Sequence, residues 1–418
     1  MTATTVRASA GEVRTELEAW LDENWDPSLT AGEWWRLLSE AGWADPSLPE
    51  NAGGRDFGRD QVQAWSVTLA ERGVLGPPSG LGRMLAAPTI ATHGTQEQID
   101  RYLPSILDGR HAWCQLFSEP GAGSDLAGLQ CRAERDGDEW VVTGQKVWTS
   151  GGQIAQYGML IARTDPDAPK HQGISYFAID MDQPGIDIRP LREMTGRALF
   201  NEVFLDEARV ADADLIGGLG NGWRVANTTL AFERAGLGSA GRSPASATPG
   251  PIAGALGRTV TDFLGKPSEG GVPRLGSDMW QWFVELARKQ GRGDDVVLRD
   301  RLAGLYTLIE VNRLSGLRAK AGGSRTGAEG NLGKLAMSEL FRQFREIGLD
   351  ILGAGGMLAG RDAESNGAIQ ELALFSPGPA IYGGTDQVQR NIIGERVLGL
   401  PKEPGPAKDT PFSELPKN

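Results

Sequence analysis

The stretch Ser118–Asp125 (SEPGAGSD) concentrates residues that can bind a polar ligand. Gly121 and Gly123 let backbone N–H groups come close to a ligand, because neither residue carries a side chain. The hydroxyls of Ser118 and Ser124 add further donors. Such a loop suits a phosphate or the polar edge of a ring. A tight connecting turn is the alternative, and these eight residues alone leave both interpretations open.

The same stretch does not match a dinucleotide-binding fingerprint. That fingerprint requires a third glycine, a strand before the loop and a helix after it. The sequence provides no third glycine at the right spacing, and we expect neither the strand nor the helix.

Composition and charge narrow the classes of partner. The chain has 418 residues, a net charge of −12 and a pI near 5.0. Nucleic acid is not expected as a partner, because phosphate backbones are bound by clustered Lys and Arg. A small ligand with phosphates stays possible, since it needs only local backbone donors.

The sequence also indicates a cytoplasmic protein without a metal centre. Residues 1–20 contain no apolar core of a secretion signal, and no run of residues reaches the length of a membrane span. Two cysteines and three histidines provide neither a disulfide framework nor a set of metal ligands.

Three zones follow one another along the chain. Residues 1–112 alternate charged and apolar residues at helical spacing, with breaks at Pro and Gly. Residues 113–228 contain short apolar runs separated by turn residues, typical of a small β-barrel or sandwich. Residues 229–418 return to helical periodicity and predict an antiparallel bundle. A Gly- and Pro-rich insertion at about 236–276 is longer than a usual connection, so it is either functional or mobile.

Particular residues carry these predictions. Asp136-Gly137 is expected to form the turn of a hairpin between Gln130–Ala133 and Trp140–Thr143, because glycine tolerates the positive φ of a tight turn. Further strands are predicted at 157–162, 174–179, 186–188 and 202–205. Apolar faces are predicted on two long helices, one with Leu302, Leu305, Tyr306 and Ile309, the other with Met337, Leu340, Phe341, Phe344, Ile347 and Ile351.

Several motifs in register resemble the acyl-CoA dehydrogenase family of flavoproteins. They are CQLF followed by SEPGAGSD (114–125), KVWTSGG (146–152), HGT with the following Gln98 and RYLP (93–104), and YGGTDQVQRNIIGERVLGLP (382–401). The resemblance covers about residues 30–401. It implies a mainly α fold with a β middle domain, in which an N-terminal helical domain, a central β-barrel and a C-terminal four-helix bundle follow one another. It also implies FAD as the cofactor.

The resemblance assigns roles to individual residues. Phe117 would donate its backbone N–H to the flavin ring, Ser118 would lie near the reactive ring nitrogen, and Trp148 would stack near the ring. Ser124 would also help to hold the pantetheine–phosphate arm of the thioester. The complete set of implied cofactor residues is Gln115, Phe117, Ser118, Gly123, Ser124, Trp148, Ser150, Arg288, Gly353, Gly384, Thr385 and Gln387.

The family reaction needs a carboxylate base, and the residue at the usual position of that base has no side chain in this sequence. The base normally follows the Tyr of a Tyr-x-Gly-Thr motif, where this chain has Gly383. A minority of the family carries the base in a Leu-x-x-Glu-Arg stretch on the first helix of the C-terminal domain. The sequence Leu230–Arg234 (LAFER) matches that stretch, so the resemblance implies Glu233 as base. An ordinary exposed Glu-Arg pair is the alternative.

The remaining substrate contacts also follow from the resemblance. The backbone N–H of Gly383 would still face the thioester oxygen, and the missing side chain would leave room for a bulky or branched acyl group. Phe232 and Arg234 flank the implied base and are expected, with Ser124, to contact the substrate.

Two departures from the family pattern concern the flavin site shared between subunits. The Arg-x-x-Phe-Gly stretch survives only as Arg288 and Gly291. The Gln-x-x-Gly-Gly-x-Gly stretch begins with Asp350 instead of an amide and retains Gly353. A carboxylate near a pyrophosphate is unfavourable unless it is screened. This half-site therefore favours a heteromer, although a homo-oligomer stays possible.

Three functional hypotheses remain at this stage. The first is an FAD-dependent acyl-CoA dehydrogenase with Glu233 as base and an electron-transferring flavoprotein as acceptor. The second is a non-catalytic or FAD-completing partner subunit of a heteromeric dehydrogenase. The third is a related flavin oxidase or monooxygenase. Oxygen consumption without an acceptor protein would indicate the third.

Overall fold

The computed structural model describes residues 8–237, 244–264, 276–320 and 327–416, with the side chains of 235–237 and 320 excepted. The chain forms two compact units. The first comprises Met1–Leu191, Ala198–Gly265 and Pro406–Asn418, and the second comprises Arg192–Arg197 and Lys266–Gly405. Each unit is described by itself.

The first unit begins with five helices: α1 (Ala10–Asn24), α2 (Ala31–Glu40), α3 (Arg59–Glu71), α4 (Ala87–His93) and α5 (Gln96–Leu107). Three of them start at a capping box, in which a Ser or Thr and an acidic or amide residue three positions later satisfy each other's backbone N–H. These pairs are Ser9 with Glu12, Thr30 with Glu33, and Thr95 with Gln98.

Buried tryptophans fix the centre of these helices. Trp34 and Trp35 are fully buried, and their indole N–H groups donate to the carbonyls of Leu75 and Gly76 at 2.6 and 2.9 Å. The described part of the predicted insertion, residues 244–264, lies against the same helices, and the Gly76 N–H donates to the Ala245 carbonyl at 2.7 Å. The predicted start of the insertion was too early, because residues 236–237 still belong to the helix Gly222–Leu237. Residues 238–243 and 265–275 lie outside the described residues, so whether the insertion is a lid stays open.

An eight-stranded sheet follows, formed by β1 (Trp113–Leu116), β2 (Arg132–Asp136), β3 (Glu139–Ser150), β4 (Tyr157–Arg163), β5 (Ile174–Asp180), β6 (Ile186–Leu191), β7 (Phe200–Ala211) and β8 (Leu215–Ile216). The strand order is β6-β7-β3-β2-β4-β5-β8, with β1 parallel to β4. The predicted hairpin is confirmed: Asp136 pairs with Glu139, and Gly137 between them has φ +66°.

One prediction about this region was wrong. We expected no strand before the Ser118–Asp125 loop, but β1 ends two residues earlier. All four residues of Trp113–Leu116 lie in a strand with little exposure. Such a strand does not alternate polar and apolar residues, so its sequence is hard to recognise as a strand.

Helix α6 (Gly222–Leu237) lies directly against the sheet. A Cβ at Gly222 would stand 2.4 Å from the carbonyl carbon of Ser175 on β5, so only glycine permits this approach. Thr229, fully buried at the middle of the helix, shares hydrogen bonds with Thr89 at 3.0 Å and with the Tyr176 hydroxyl at 3.3 Å. Helix α6 is thereby tied to both α4 and β5.

The chain re-enters the first unit at its C-terminal segment. The Phe412 ring lies 3.6 Å from the guanidinium of Arg163. The backbone N–H groups of Phe412 and Ser413 donate to the carbonyls of Ala168 and Pro166. Residues 406–416 therefore complete the β domain.

The second unit is helical and contains α7 (Ser277–Lys289), α8 (Val296–Lys320), α9 (Glu329–Leu352), α10 (Ala368–Phe375) and α11 (Asp386–Ile392). The predicted apolar faces of α8 and α9 enclose its core. Tyr306 is the exception, since it is 44% exposed and its ring packs on Trp280 at the rim of that core.

The order of helices, sheet and helices confirms the predicted fold class. The boundaries at 112 and 228 stay a prediction. Within the described ranges, no helix has the length and apolar character that would let it cross a bilayer.

The close contact of α6 with β5 yields a stability prediction. Gly222→Ala should lower the free energy of unfolding by about 1–3 kcal/mol, because the new Cβ overpacks against backbone atoms that cannot move aside. Urea denaturation measures the change. Gly257→Ala is the matched control, since a Cβ there meets nothing within 4 Å. Equal stabilities for the two variants would contradict the packing of α6 described here.

Candidate active site

Glu233 lies on α6, and its side chain is partly buried. Burial raises the pKa of the Glu233 carboxyl, and the neighbouring Gln115 side chain on β1 and the charge of Arg234 offset only part of that effect. The catalytic role of Glu233 and the alternative of an ordinary Glu-Arg pair both stay predictions. Phe232 packs against the helical core, and Arg234 is exposed.

The Ser118–Asp125 loop forms a tight turn directly after β1. The backbone groups of Glu119 and Ala122 bond to each other at 3.0 and 3.1 Å, which closes the turn. Gly121 and Gly123 are exposed, have ordinary φ, and would place a Cβ in open space. Neither glycine is therefore required by this chain's own packing, which leaves room for a ligand close to the backbone.

A buried ion pair holds the base of this loop. The Lys146 ammonium on β3 donates to Glu119 Oε1 at 2.8 Å and to the Phe117 carbonyl at 3.1 Å. The Glu119 carboxylate also accepts the backbone N–H groups of Gln130 and Cys131. Phe117 in turn packs edge-on against Tyr176, which bonds to α6 through Thr229.

Trp148 occupies a strained position at a bulge in β3. The register between β3 and β7 shifts between Lys146 and Thr149, and Trp148 within that shift has φ +62°. A bulky residue at positive φ costs free energy and commonly marks a functional position. The indole is nevertheless 58% exposed and contacts the Phe200 ring at 5.8 Å. Ser150 follows at the end of the strand, paired with Phe200.

The second unit contains the glycine turn of the C-terminal motif. Gly383 and Gly384 have φ of +63° and +80°, and Thr385 caps α11 by accepting the Val388 N–H. The Gln389 side chain donates to the Gly383 carbonyl at 2.8 Å. The turn is thereby fixed, and Gln387 is exposed beside it.

The side chain of Asp386 connects the same turn to a neighbouring helix. Its buried carboxylate accepts hydrogen bonds from Ser338 at 2.7 Å and from Lys334 at 3.3 Å, and it is paired with Arg342. All three partners lie on α9. The start of α11 is therefore tied to α9, a helix of 24 residues.

Arg288 and Gly353 belong to the flavin half-site that departs from the family pattern, and both lie at helix ends. Arg288 is exposed in the last turn of α7, and Gly353, with φ +53°, ends α9. The Asp350 carboxylate is bound by Arg292 at 3.0 Å and by Arg301 at 2.7 Å. The two guanidinium groups therefore screen the charge of Asp350. Screening is the condition under which a carboxylate near a pyrophosphate is tolerated.

The structure thus brings part of the predicted site together. Within the first unit, direct contacts connect Glu233 to Gln115, Phe117 to Lys146, and Lys146 to the bulge that carries Trp148. Gly383, Gly384, Thr385 and Gln387 form one turn of the second unit. Arg288 and Gly353 have no contact with that turn among the contacts described.

Sequence reasoning missed the residues that hold these segments, namely Glu119, Lys146, Asp386 and Gln389. Each is a polar residue inside a motif whose other members were assigned to a ligand. The available signal was position: a charged residue within an apolar strand, as Lys146 is in β3, is rarely buried without a partner. The partnership of Gln115 with Glu233 joins positions 118 residues apart and leaves no local signal.

Comparison with known families agrees with this geometry. The N-terminal, middle and C-terminal domain models of acyl-CoA dehydrogenase match residues 1–110, 114–207 and 274–398. The chain belongs to the acyl-CoA dehydrogenase family. It is therefore an oxidoreductase of that class, as the motifs predicted.

Individual members of the family show how far the similarity extends. Acyl-CoA dehydrogenase IpdE1 of Mycobacterium tuberculosis is 38% identical over 372 residues, covering 88% of each chain. Acyl-CoA dehydrogenase FadE34 of the same organism is 42% identical over 320 residues, which are 76% of this chain and 39% of that one. The solved structure of the Tcur3481-Tcur3483 steroid ACAD is 28% identical with a TM-score of 0.66, covering 94% of this chain and 98% of that one.

The desolvated carboxyl of Glu233 makes stability depend on pH in a defined direction. Because its folded pKa is raised, its contribution to stability is full below the unfolded pKa and is lost as pH rises through the folded pKa. Glu233→Gln stays neutral throughout. Relative to the unaltered protein, this variant should therefore gain stability as pH rises from below the unfolded pKa through the folded pKa of Glu233, as measured by urea denaturation at each pH.

Glu12→Gln provides a control of opposite sign. The backbone N–H of Ser9 lowers the pKa of Glu12, so that carboxylate stabilises the fold above its unfolded pKa and loses this effect as pH falls. The Glu12 variant should become relatively less stable with rising pH. A Glu233 variant whose relative stability did not change with pH would show that its carboxyl is solvated.

Proposed function

We propose that this chain catalyses the α,β-dehydrogenation of an acyl-CoA thioester to the trans-2-enoyl-CoA, with Glu233 as the base. The observation that carries the proposal is a partly desolvated carboxylate on α6, beside Gln115, in a chain whose usual base position is Gly383. A carboxylate is needed because the α-proton is only weakly acidic. Glu233 removes that proton.

The environment of Glu233 suits a base. Burial raises its pKa, so the ionised carboxylate is a stronger proton acceptor than one in water. The Gln115 side chain and the charge of Arg234 offset part of this rise, so the carboxyl can still ionise.

FAD is the proposed cofactor, and when bound it accepts the β-hydrogen as hydride. The residues of the first unit fit such a group. Gly121 and Gly123 leave open space beside the backbone, and Trp148 presents an exposed aromatic face at a strained position. Gln115, Phe117, Ser118, Gly123, Ser124, Trp148 and Ser150 are the proposed cofactor contacts in this unit. Gly384, Thr385 and Gln387 are also proposed as cofactor contacts, by their resemblance to the family motif alone.

The backbone N–H of Gly383 is proposed to donate to the thioester oxygen. Negative charge develops on that oxygen as the α-proton leaves, and a hydrogen bond to it is worth about 1.5–3 kcal/mol. The turn that holds Gly383 is rigid, since Gln389 fixes its carbonyl and Asp386 fixes the helix behind it. Ser124, Phe232 and Arg234 are the further proposed substrate contacts.

The substrate is proposed to have a bulky acyl group, such as a steroid side chain. Gly383 supplies no side chain beside the reacting carbon, and a relative of known structure is named as a steroid ACAD. A screen of straight, branched and steroid side-chain CoA thioesters by flavin bleaching tests this assignment. Faster bleaching by short straight-chain thioesters would contradict it.

The chain is proposed to act in an oligomer with a homologous subunit and to pass electrons to an electron-transferring flavoprotein. Arg292 and Arg301 are committed to Asp350, so neither guanidinium is available to a neighbour's pyrophosphate. The related solved structure carries the names of two proteins. These observations support a heteromer over a homo-oligomer.

Replacement of the proposed base is the direct test. Glu233→Gln should slow flavin bleaching by an acyl-CoA by about two to four orders of magnitude, the usual scope of general-base catalysis. Binding of FAD should not change, because the amide retains the shape of the side chain. Stopped-flow absorbance with a CoA thioester measures both.

Glu18→Gln is the matched control, since Glu18 lies partly exposed on α1 in a pair with Arg14. It should bleach at the unaltered rate. Near-normal bleaching in the Glu233 variant would remove this residue from the mechanism and favour the second candidate, a non-catalytic or FAD-completing partner subunit.

The state of assembly separates the two candidates further. Purified alone, the chain should hold less than one FAD per subunit, because its shared half-site lacks the family's Arg-x-x-Phe-Gly stretch. Co-expression with a homologous subunit should restore flavin content, as measured by native mass spectrometry and absorbance. A flavin-saturated homo-oligomer from the chain alone would contradict the heteromer.

A further inference from the structure

Lys146 is a cation with no access to water. Its side chain is fully buried in the sheet, and that of its partner Glu119 is only 8% exposed. Moving an ammonium out of water costs several kcal/mol, and an ion pair with good geometry only offsets that cost. A pair of apolar side chains of similar volume would often stabilise a core equally well. Stability alone therefore does not account for this pair.

The contacts of the pair show what it does. The Lys146 ammonium donates one hydrogen bond to Glu119 at 2.8 Å and another to the Phe117 carbonyl at 3.1 Å. The two Glu119 oxygens accept the Gln130 N–H at 2.7 Å and the Cys131 N–H at 3.0 Å. The pair thereby joins the end of β1, the start of the glycine loop and the segment just before β2 to β3.

The same lysine begins the bulge that presents Trp148. The next residue, Val147, donates its N–H to the Ser118 carbonyl at 2.9 Å, and Trp148 follows at φ +62°. A strained conformation persists only where the surroundings hold it. The buried ammonium of Lys146 therefore lies where two chain segments meet, the glycine loop Ser118–Asp125 and the bulge at Trp148.

We infer that Lys146 and Glu119 are positioning residues that set the distance between the glycine loop and Trp148, and thereby the width and polarity of the cofactor site. The inference rests on the proposed function, since those two segments are the proposed flavin contacts. Lys146 itself is enclosed and touches no ligand. It acts through the Phe117 carbonyl and through the strand that carries the indole.

Binding of FAD to the apoprotein of the Lys146→Met variant is the test. This change keeps most of the side-chain volume and removes the donors to Phe117 and Glu119. FAD affinity should fall about ten- to a hundred-fold, the usual effect of losing a hydrogen bond to a charged group. The visible absorbance maxima of the bound flavin should also shift, because the polar groups at the ring edge move. Titration of apoprotein followed by absorbance and fluorescence measures both quantities.

Leu205→Ala separates positioning from simple loss of stability. Leu205 is buried in the core of the same sheet, so its truncation should lower stability, and its side chain takes no part in the hydrogen bonds that hold either segment. At temperatures where both variants are folded, Leu205→Ala should bind FAD with unaltered affinity and spectrum. If Lys146→Met prevents folding, the volume-conserving Glu119→Gln variant takes its place and should show a shifted spectrum with weaker binding.

The outcomes discriminate between the two proposals. A Lys146 or Glu119 variant that binds FAD like the unaltered protein, or no worse than Leu205→Ala, overturns the positioning role and leaves the proposed dehydrogenation intact. If the unaltered protein, with and without a homologous subunit, binds no FAD, the proposed function fails and this inference fails with it.

Discussion

Close packing of α6 against the sheet is the contact on which the candidate site depends. Gly222 permits it, because any side chain there would collide with the backbone of β5. Thr229 then fixes the rotation of the helix through Thr89 and Tyr176, and one turn later Glu233 reaches Gln115 on β1. A carboxylate in this position is desolvated by the same packing that orients it, so its basicity and its direction have one physical origin.

Buried charges with several partners recur behind the segments assigned to ligands. Glu119 and Lys146 lie behind the glycine loop of the first unit, and Asp386 lies behind the turn at Gly383 in the second. In both places the residues proposed to face a ligand include glycines, whereas the groups behind them are charged and have several hydrogen-bond partners. Rigidity in these segments therefore comes from the supporting polar network and not from the glycines themselves.

Much of this arrangement could be predicted from the sequence, and the limits have physical causes. The hairpin at Gly137 and the apolar faces of α8 and α9 were predictable, because turn chemistry and periodicity are local. The family motifs singled out the loop at Ser118–Asp125 and the alternative base position at Glu233, and the role of each stays a prediction. β1 was missed because a short strand with a parallel partner lacks alternation, and Tyr306 was misplaced because periodicity does not show where a core ends. The proximity of Gln115 to Glu233 depends on tertiary packing alone.

The C-terminal segment gives the first unit an unusual order of assembly. Arg163 at the end of β4 finds its aromatic partner in Phe412, about 250 residues further along the chain, after the whole second unit has intervened. During synthesis the ribosome therefore produces the β domain long before the segment that completes it. The helices of the second unit can form in the meantime, and the final closure over Arg163 must wait for residues 411–413 to emerge.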